Sequence, residues 1–192
     1  MAGPETSPSV RRQELLEAAY VHALRNGLGG MSLRPLAEEI QSSPRVLLYL
    51  FGSKDGLIRA LLERARADEL ALIEQLAGSR DRPQGLAPVA RELWRWLSEE
   101  AHRGLLMLWV ESYARSLVEP DGPWAGFAQD TVRDWLALLA AAQPPETRDT
   151  ETGFAQRTLV LSVLRGALLD LLATGESARA NAAVHLHLAA MG

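Results

Sequence analysis

The chain has 192 residues, of which 47% are hydrophobic, a net charge of −4 and no cysteine. It has no apolar run long enough for a membrane span, no apolar secretory signal and no means of forming disulfides. We therefore expect a cytoplasmic globular protein without membrane contact, large enough for one large domain or two small ones.

The charge is distributed unevenly along the chain. Residues 1–66 carry nine Arg or Lys against seven Asp or Glu, whereas residues 67–192 carry eleven against seventeen. A weakly basic N-terminal part is compatible with binding to nucleic acid, and the acidic remainder would be repelled by phosphate.

The first predicted elements are short capped helices. Helix-forming residues dominate and alternating β-branched or aromatic runs are absent, so we expect an all-α fold. The first helix spans about residues 8–26 and ends at the glycines that follow it. Ser32 caps a second helix. Ser43 caps a third, in which Pro44 takes the first helical position, and Gly52 closes it.

A longer helix follows, capped by Ser53 and extending to about Ala77. Residues 78–83, rich in Gly, Pro and charge, are the best candidate for a linker. Five further helices are predicted between breaks such as EPDGP and QPPET, which makes about nine in all. They lie near residues 86–102, 104–118, 123–142, 151–173 and 177–190. The order of the N-terminal elements (helix, turn, short helix, turn, long helix) can present the start of a small helix to a DNA major groove.

The segments RRQELLEAA, SLRPLA, SPRVLLYLF and SKDGLI, spread over residues 11–60, carry a resemblance. In content and spacing they are similar to the DNA-binding domain of the TetR family of bacterial transcriptional regulators. The resemblance implies a three-helix helix-turn-helix domain at residues 8–55. It also implies a helical ligand-sensing and dimerisation domain at residues 56–192.

The resemblance also implies which residues contact DNA. Arg45 is predicted to take both acceptors of a guanine, and Val46 to touch a thymine methyl. Tyr49 and Lys54 are predicted to contact phosphate, although Tyr49 packing against the first helix is nearly as good an interpretation. Solvation alone is the plain alternative for Arg45. The predicted DNA-binding set is Arg34, Ser43, Pro44, Arg45, Val46, Tyr49 and Lys54.

All five tryptophans lie in the second half of the chain. Aromatic-rich helices often line an apolar ligand cavity, although any single tryptophan is more often core. Trp94 and Trp96 lie about 200° apart on one helix, so only one of them can face the core. The candidate ligand-binding residues are Trp94, Met107, Trp109, Glu111, Tyr113 and Trp135.

The last two helices are unusually apolar, which suits a four-helix interface between two copies of the chain. Together these features predict a homodimeric regulator, most simply a repressor, with one recognition helix in each major groove of a palindromic operator. A small apolar or aromatic effector would favour a different spacing of those helices and release the DNA, with the long fourth helix as the lever.

Three alternatives remain open. The family commonly has Tyr at the place of Leu48 and His or Tyr at the place of Leu50, so the first alternative is a ligand-binding dimer in which DNA binding is weak or lost. Activators also exist in the family. An enzyme with scattered catalytic residues ranks third, since no P-loop, dinucleotide glycine pattern, nucleophile elbow or zinc motif is present. We expect no catalytic site, cofactor or metal.

Overall fold

The structure, a computed structural model, describes residues 8–78 and 85–191, so most of the predicted linker lies outside it. Within these ranges the chain is helical and contains no strand, which confirms the predicted all-α fold. None of the described helices is long and apolar enough to cross a bilayer. The helices are α1 (Pro8–Asn26), α2 (Leu33–Glu39), α3 (Pro44–Phe51), α4 (Lys54–Gly78), α5 (Leu86–Leu97), α6 (Arg103–Val118), α7 (Phe127–Ala141), α8 (Pro145–Arg148), α9 (Glu151–Thr174) and α10 (Ser177–Ala189).

The N-terminal helices begin and end where the sequence predicts, and the differences lie further along the chain. The predicted helix at 86–102 stops at Leu97 and is followed by a 3-10 turn at Glu100–His102. The helix predicted from residue 123 begins only at Phe127, after a series of turns. The predicted break QPPET instead contains the short helix α8, because its proline at the first helical position starts a helix as readily as it ends one.

The described chain forms two compact units. The N-terminal unit contains the residues up to Glu69 together with Met107–Ala128, and the C-terminal unit contains Leu70–Leu106 together with the residues from Gln129 onward. Both α4 and α6 contribute residues to each unit. The functional division predicted at residue 55 is a different boundary, and it stays a prediction.

The core of the N-terminal unit is built by one face of each of its helices. From α1 it takes Leu15, Leu16, Ala19, Tyr20 and Ala23. The contributions of α2, α3, α4 and α6 to this core include Leu36, Ala37, Leu47, Phe51, Leu57, Leu61 and Leu108. Helices as short as α2 and α3, with seven and eight residues, have little stability alone. They are stabilised here because the apolar faces of the surrounding helices pack against theirs in this core.

In the C-terminal unit, α9 packs against α10, α5 and α8. Trp94 of α5 is buried, and its indole N–H donates to Asn181 Oδ1 at 2.7 Å. Trp96, on the other side of α5, stacks on His102 with ring centroids 4.0 Å apart. The prediction that only one of these two tryptophans faces the core is confirmed.

A buried arginine joins α9 to α8 and to the turn between α7 and α8. Arg157, only 4% exposed, donates to Gln143 Oε1 at 2.8 Å and to the Arg148 carbonyl at 2.6 Å, and its guanidinium lies 3.7 Å from the centre of the Phe154 ring. We call this group the Arg157 cage. Gln143 is also buried and donates to the Gly153 carbonyl at 2.9 Å, so both ends of its amide are used.

Candidate nucleic-acid interface

The start and end of α3 are fixed by local interactions. Ser43 has an extended backbone, and its Oγ accepts the Val46 N–H at 3.3 Å, while Pro44 takes the first helical position. Gly52 ends the helix with a φ of 79°, a left-handed value that favours glycine. The predicted caps of α3 are thereby confirmed, and the Ser43 hydroxyl hydrogen stays available to donate outward.

One face of α3 is held in the core and the other is open. Leu47 and Phe51 are buried. On the opposite side lie Arg45, which is exposed, and Tyr49, which is 80% exposed and follows one helical turn later. Tyr49 therefore does not pack against α1, and together with Arg45 it forms the centre of the outer face.

The two departures from the family's usual residues lie in different surroundings. Leu48 is 42% exposed and Val46 is 38% exposed, so both flank the outer face of α3. Leu50 instead packs against the core of the N-terminal unit. Of the two substitutions, only Leu48 changes the surface that α3 presents.

The cations on this surface are weakly engaged. Within the described residues, neither Arg45 nor Lys54 has a hydrogen-bond or ion-pair partner, and both are exposed. Arg34, 85% exposed at its side chain, pairs with Glu38 at 3.5 Å. Such an exposed pair is worth little, so Arg34 can exchange it for a phosphate. Lys54 is the first residue of α4, where unpaired backbone N–H groups also favour an anion.

The turn between α2 and α3 contains a feature that the sequence did not reveal. Gln41 has a φ of 53°, a left-handed conformation usually taken by glycine, and its N–H donates to the Glu38 carbonyl at 3.3 Å. The Ser42 N–H donates to the Ala37 carbonyl at 2.8 Å. These two bonds close the end of α2 and set the direction in which α3 leaves it. With no glycine in QSS, nothing in the sequence indicated this geometry.

Polar side chains brace α1 against α4 behind the recognition helix. The Tyr20 hydroxyl donates to Asp68 Oδ2 at 2.8 Å, and Arg64 donates to Glu17 at 3.0 Å and also pairs with Asp68. The Arg64 guanidinium lies 4.7 Å from the centre of the Tyr20 ring. We call these four residues the α1–α4 network. Burial, followed by the hydrogen bond to the Asp68 carboxylate, raises the pKa of Tyr20 above its ordinary value.

A second polar contact within this unit joins α1 to α2. His22 Nδ1 and Glu39 Oε2 are 2.6 Å apart, and His22 is only partly exposed. Polar side chains therefore join α1 both to α4, through the α1–α4 network, and to α2, through this pair.

The six candidate ligand residues are divided between the units. Trp94 and Trp135 are buried in the C-terminal unit, 2% and 8% exposed. The other four belong to the N-terminal unit: Met107 is 48% exposed, and Trp109 packs against the core and lies 5.3 Å from Tyr113, ring centre to ring centre. Glu111 Oε2 accepts the N–H of Leu28 at 2.8 Å. A ligand-binding role for the six stays a prediction.

The capped α3, with its outward-facing side chains, follows α2 in a helix-turn-helix arrangement within an all-helical fold. No protein-family model matches the chain, and no curated protein matches it. Among solved structures, the fold is that of TetR-family transcriptional regulators, and the resemblance seen in the N-terminal sequence is confirmed.

Three of these structures give the extent of the likeness. The multidrug binding protein EbrR complexed with imidazole is 26% identical, over 97% of this chain and 90% of that one, with a TM-score of 0.64. The same protein complexed with proflavin is 25% identical, over 92% and 96%, with a TM-score of 0.62. A putative TetR-family regulator from Rhodococcus sp. is 17% identical, over 93% and 98%, with a TM-score of 0.69.

Proposed function

We propose that this protein is a transcriptional regulator, a ligand-responsive repressor that binds a palindromic DNA operator as a homodimer and leaves it when a small apolar or aromatic effector binds. The outer face of α3 carries the proposal. Arg45 and Tyr49 stand exposed on a helix whose inner face is fixed in the core, and Arg45 has no partner in the described residues. A free guanidinium near the start of a recognition helix can read both acceptors of a guanine.

The remaining contacts are divided between bases and phosphates. Val46 and Leu48 flank Arg45 and offer apolar contacts to thymine methyl groups. Ser43, Arg34 and Lys54 lie at helix starts, where they would hold the phosphate backbone and set the register. Pro44 keeps the first turn of α3 in place.

Selection of bound sequences from a pool of random duplexes tests the DNA function. We expect a palindrome to be enriched. Arg45→Ala should relax the preference at one position in each half, because it removes a base contact. Lys54→Ala should weaken binding to all sequences and lower the slope of log affinity against log salt by about 1.

Arg133→Ala is the matched control, since Arg133 is an exposed arginine in the other compact unit and should change neither readout. The role assignments are wrong if both interface variants lose specificity equally. Failure to enrich any sequence favours the alternative, a ligand-binding dimer without DNA binding.

The homodimer rests on the exposed apolar face of α9 and α10. Leu159 and Leu169 of α9 are 54% and 50% exposed, and Leu186 of α10 is 76% exposed. Ser162 and Gly166, also exposed, continue the stripe between the two leucines at a spacing of three to four residues. Small residues between leucines let two helices approach closely, as a four-helix interface requires.

Sedimentation tests this interface. We expect a dimer for the natural chain and a monomer for Leu159→Glu, because a carboxylate in the stripe would have to be buried. Leu117→Glu, at an equally exposed leucine of α6, should leave the dimer intact. A 21.0 kDa species for the natural chain at micromolar concentration would contradict the proposal.

The effector class rests on EbrR, whose structures contain imidazole and proflavin. Proflavin is therefore the probe that we would use, with quenching of tryptophan fluorescence as the readout and Trp109→Phe and Trp135→Phe as the variants.

Complete release of DNA needs roughly 10⁴-fold preference of the effector for the state that does not bind DNA, about 5.5 kcal/mol. The shared helix α4, with residues in both compact units, is the lever.

A further inference from the structure

The loop between α1 and α2 encloses a carboxylate of α6. Glu111 Oε2 accepts the backbone N–H of Leu28 at 2.8 Å, although 83 positions separate the two residues in sequence. Leu28 itself is 1% exposed, so its side chain fixes the loop in the core while its N–H faces the carboxylate. All of these residues belong to the N-terminal unit.

The residues on either side of Leu28 leave room for the carboxylate only because they are glycines. A Cβ added to Gly27 would lie 2.8 Å from Glu111 Oε2, and one added to Gly29 would come closer than 3.0 Å to Oε1. Gly27 also has a φ of +74°, whereas Gly29 has no left-handed φ. The obstacles at Gly29 are therefore side chains alone, the Glu111 carboxylate first and then Arg115 Nη2 at 3.1 Å. A Cβ at Gly30 would meet nothing within 4 Å.

The helix that carries Glu111 is shared. Residues 103–106 of α6 belong to the C-terminal unit and residues 107–118 to the N-terminal unit. The loop that Glu111 holds leads directly into α2, the first helix of the helix-turn-helix. A hydrogen bond from a backbone N–H to a charged carboxylate is stronger than one to a neutral acceptor. It also restrains the main chain of the loop rather than a side chain.

We propose that Glu111 is a positioning residue for DNA binding, whose carboxylate fastens the α1–α2 loop to α6 and so fixes the helix-turn-helix on the shared helix. This role rests on the proposed DNA function and goes beyond it, because it names the contact through which α6 governs the placement of α3. In a dimer, that placement sets the spacing of the two recognition helices.

The fastening itself is tested without DNA, by a double-mutant cycle. Gly29→Ala should lower the Tm by about 4 °C in the natural chain, because the added methyl displaces the carboxylate. In a Glu111→Ala background the same change should cost much less, since the oxygen closer than 3.0 Å is gone and only the flexible Arg115 side chain, at 3.1 Å, is left. Gly30→Ala is the matched control and should be neutral in both backgrounds. Glu111→Ala should also speed amide exchange at Leu28 by about tenfold or more.

The positioning role is tested with two duplexes derived from the selected sequence, one with both half-sites and one with a single half-site. Glu111→Ala should weaken binding to the full site about tenfold, because the spacing of the recognition helices is no longer fixed. Binding to the half-site should stay within about twofold. Glu111→Gln keeps an acceptor for Leu28 and should restore full-site affinity. Asp121→Ala, at an exposed carboxylate in the turns after α6, should match the natural chain.

The outcomes separate the two proposals. Enrichment of no sequence by the natural chain overturns the DNA function. A selected sequence that E111A binds as well as the natural chain overturns the positioning role alone. Equal losses on the full site and the half-site reduce Glu111 to a folding residue, and equal costs of G29A in both backgrounds mean that the loop is not held by this carboxylate.

Discussion

The two compact units bury arginine in opposite ways. In the α1–α4 network of the N-terminal unit, a partly exposed Arg64 meets two carboxylates. In the Arg157 cage of the C-terminal unit, a guanidinium that is 4% exposed meets neutral oxygens and an aromatic ring. Partly solvated ion pairs add little and respond to pH, whereas a dehydrated cation depends entirely on the few acceptors around it. Substitution of Arg157 should therefore destabilise the protein more than substitution of Arg64.

Removing the arginine of the cage should have the largest effect. We expect Arg157→Ala to lower the free energy of unfolding by about 3 kcal/mol, because it leaves the Gln143 amide oxygen and the Arg148 carbonyl without donors and opens a cavity. Urea denaturation measures this loss. Arg133→Ala, at an exposed arginine of the same unit, should cost less than about 0.5 kcal/mol. Similar costs for the two variants would remove the contrast between the units.

The N-terminal network should show a smaller effect that depends on pH. Tyr20→Phe should cost about 1 kcal/mol near neutral pH, because the hydrogen bond to Asp68 is lost. The raised pKa of Tyr20 means that the fold disfavours the phenolate, so its stabilisation is complete below about pH 10 and is lost as the pH rises further.

Unfolding curves between pH 8 and pH 11 decide the point. The natural chain should lose stability at the alkaline end more steeply than Tyr20→Phe, so that the two curves converge. Parallel curves would mean that the Tyr20 hydroxyl ionises as easily in the folded chain as in the unfolded one.

The smallest expected effect is a gain, at the turn between α2 and α3. Gln41→Gly should stabilise the chain by about 1 kcal/mol, because glycine takes the left-handed conformation without steric cost. Gln41→Ala should give no such gain. Thermal unfolding measures both, and a neutral Gln41→Gly would mean that the hydrogen bonds of the turn already offset the strain.

The parts of the fold that depend on neighbouring residues could be predicted from the sequence. The caps at Ser43, Pro44 and Gly52 follow from residues within one turn of each other, and so do the bounds of α3. The burial of Leu47 and Phe51 follows from helical spacing. These local rules fix where the recognition helix begins and ends and which face it buries.

The contacts that depend on distant residues could not be predicted. The aromatic neighbours of Glu111 on α6 make it a candidate ligand residue, and nothing near it in sequence indicates its contact with the N–H of Leu28. The glycines at 27 and 29 read as a helix stop, and their second role appears only once α6 lies beside them. Gln41 was missed because its conformation is imposed by the packing of the helices on either side.

Leu48 has a thermodynamic consequence for the proposed operator complex. A tyrosine at this position could donate a hydrogen bond to a phosphate, whereas Leu48 presents an apolar side chain on the flank of α3. Association should then bury more apolar surface and give a more negative heat-capacity change, while its salt dependence stays that set by the cationic side chains. The affinity for the operator would therefore follow a more strongly curved dependence on temperature.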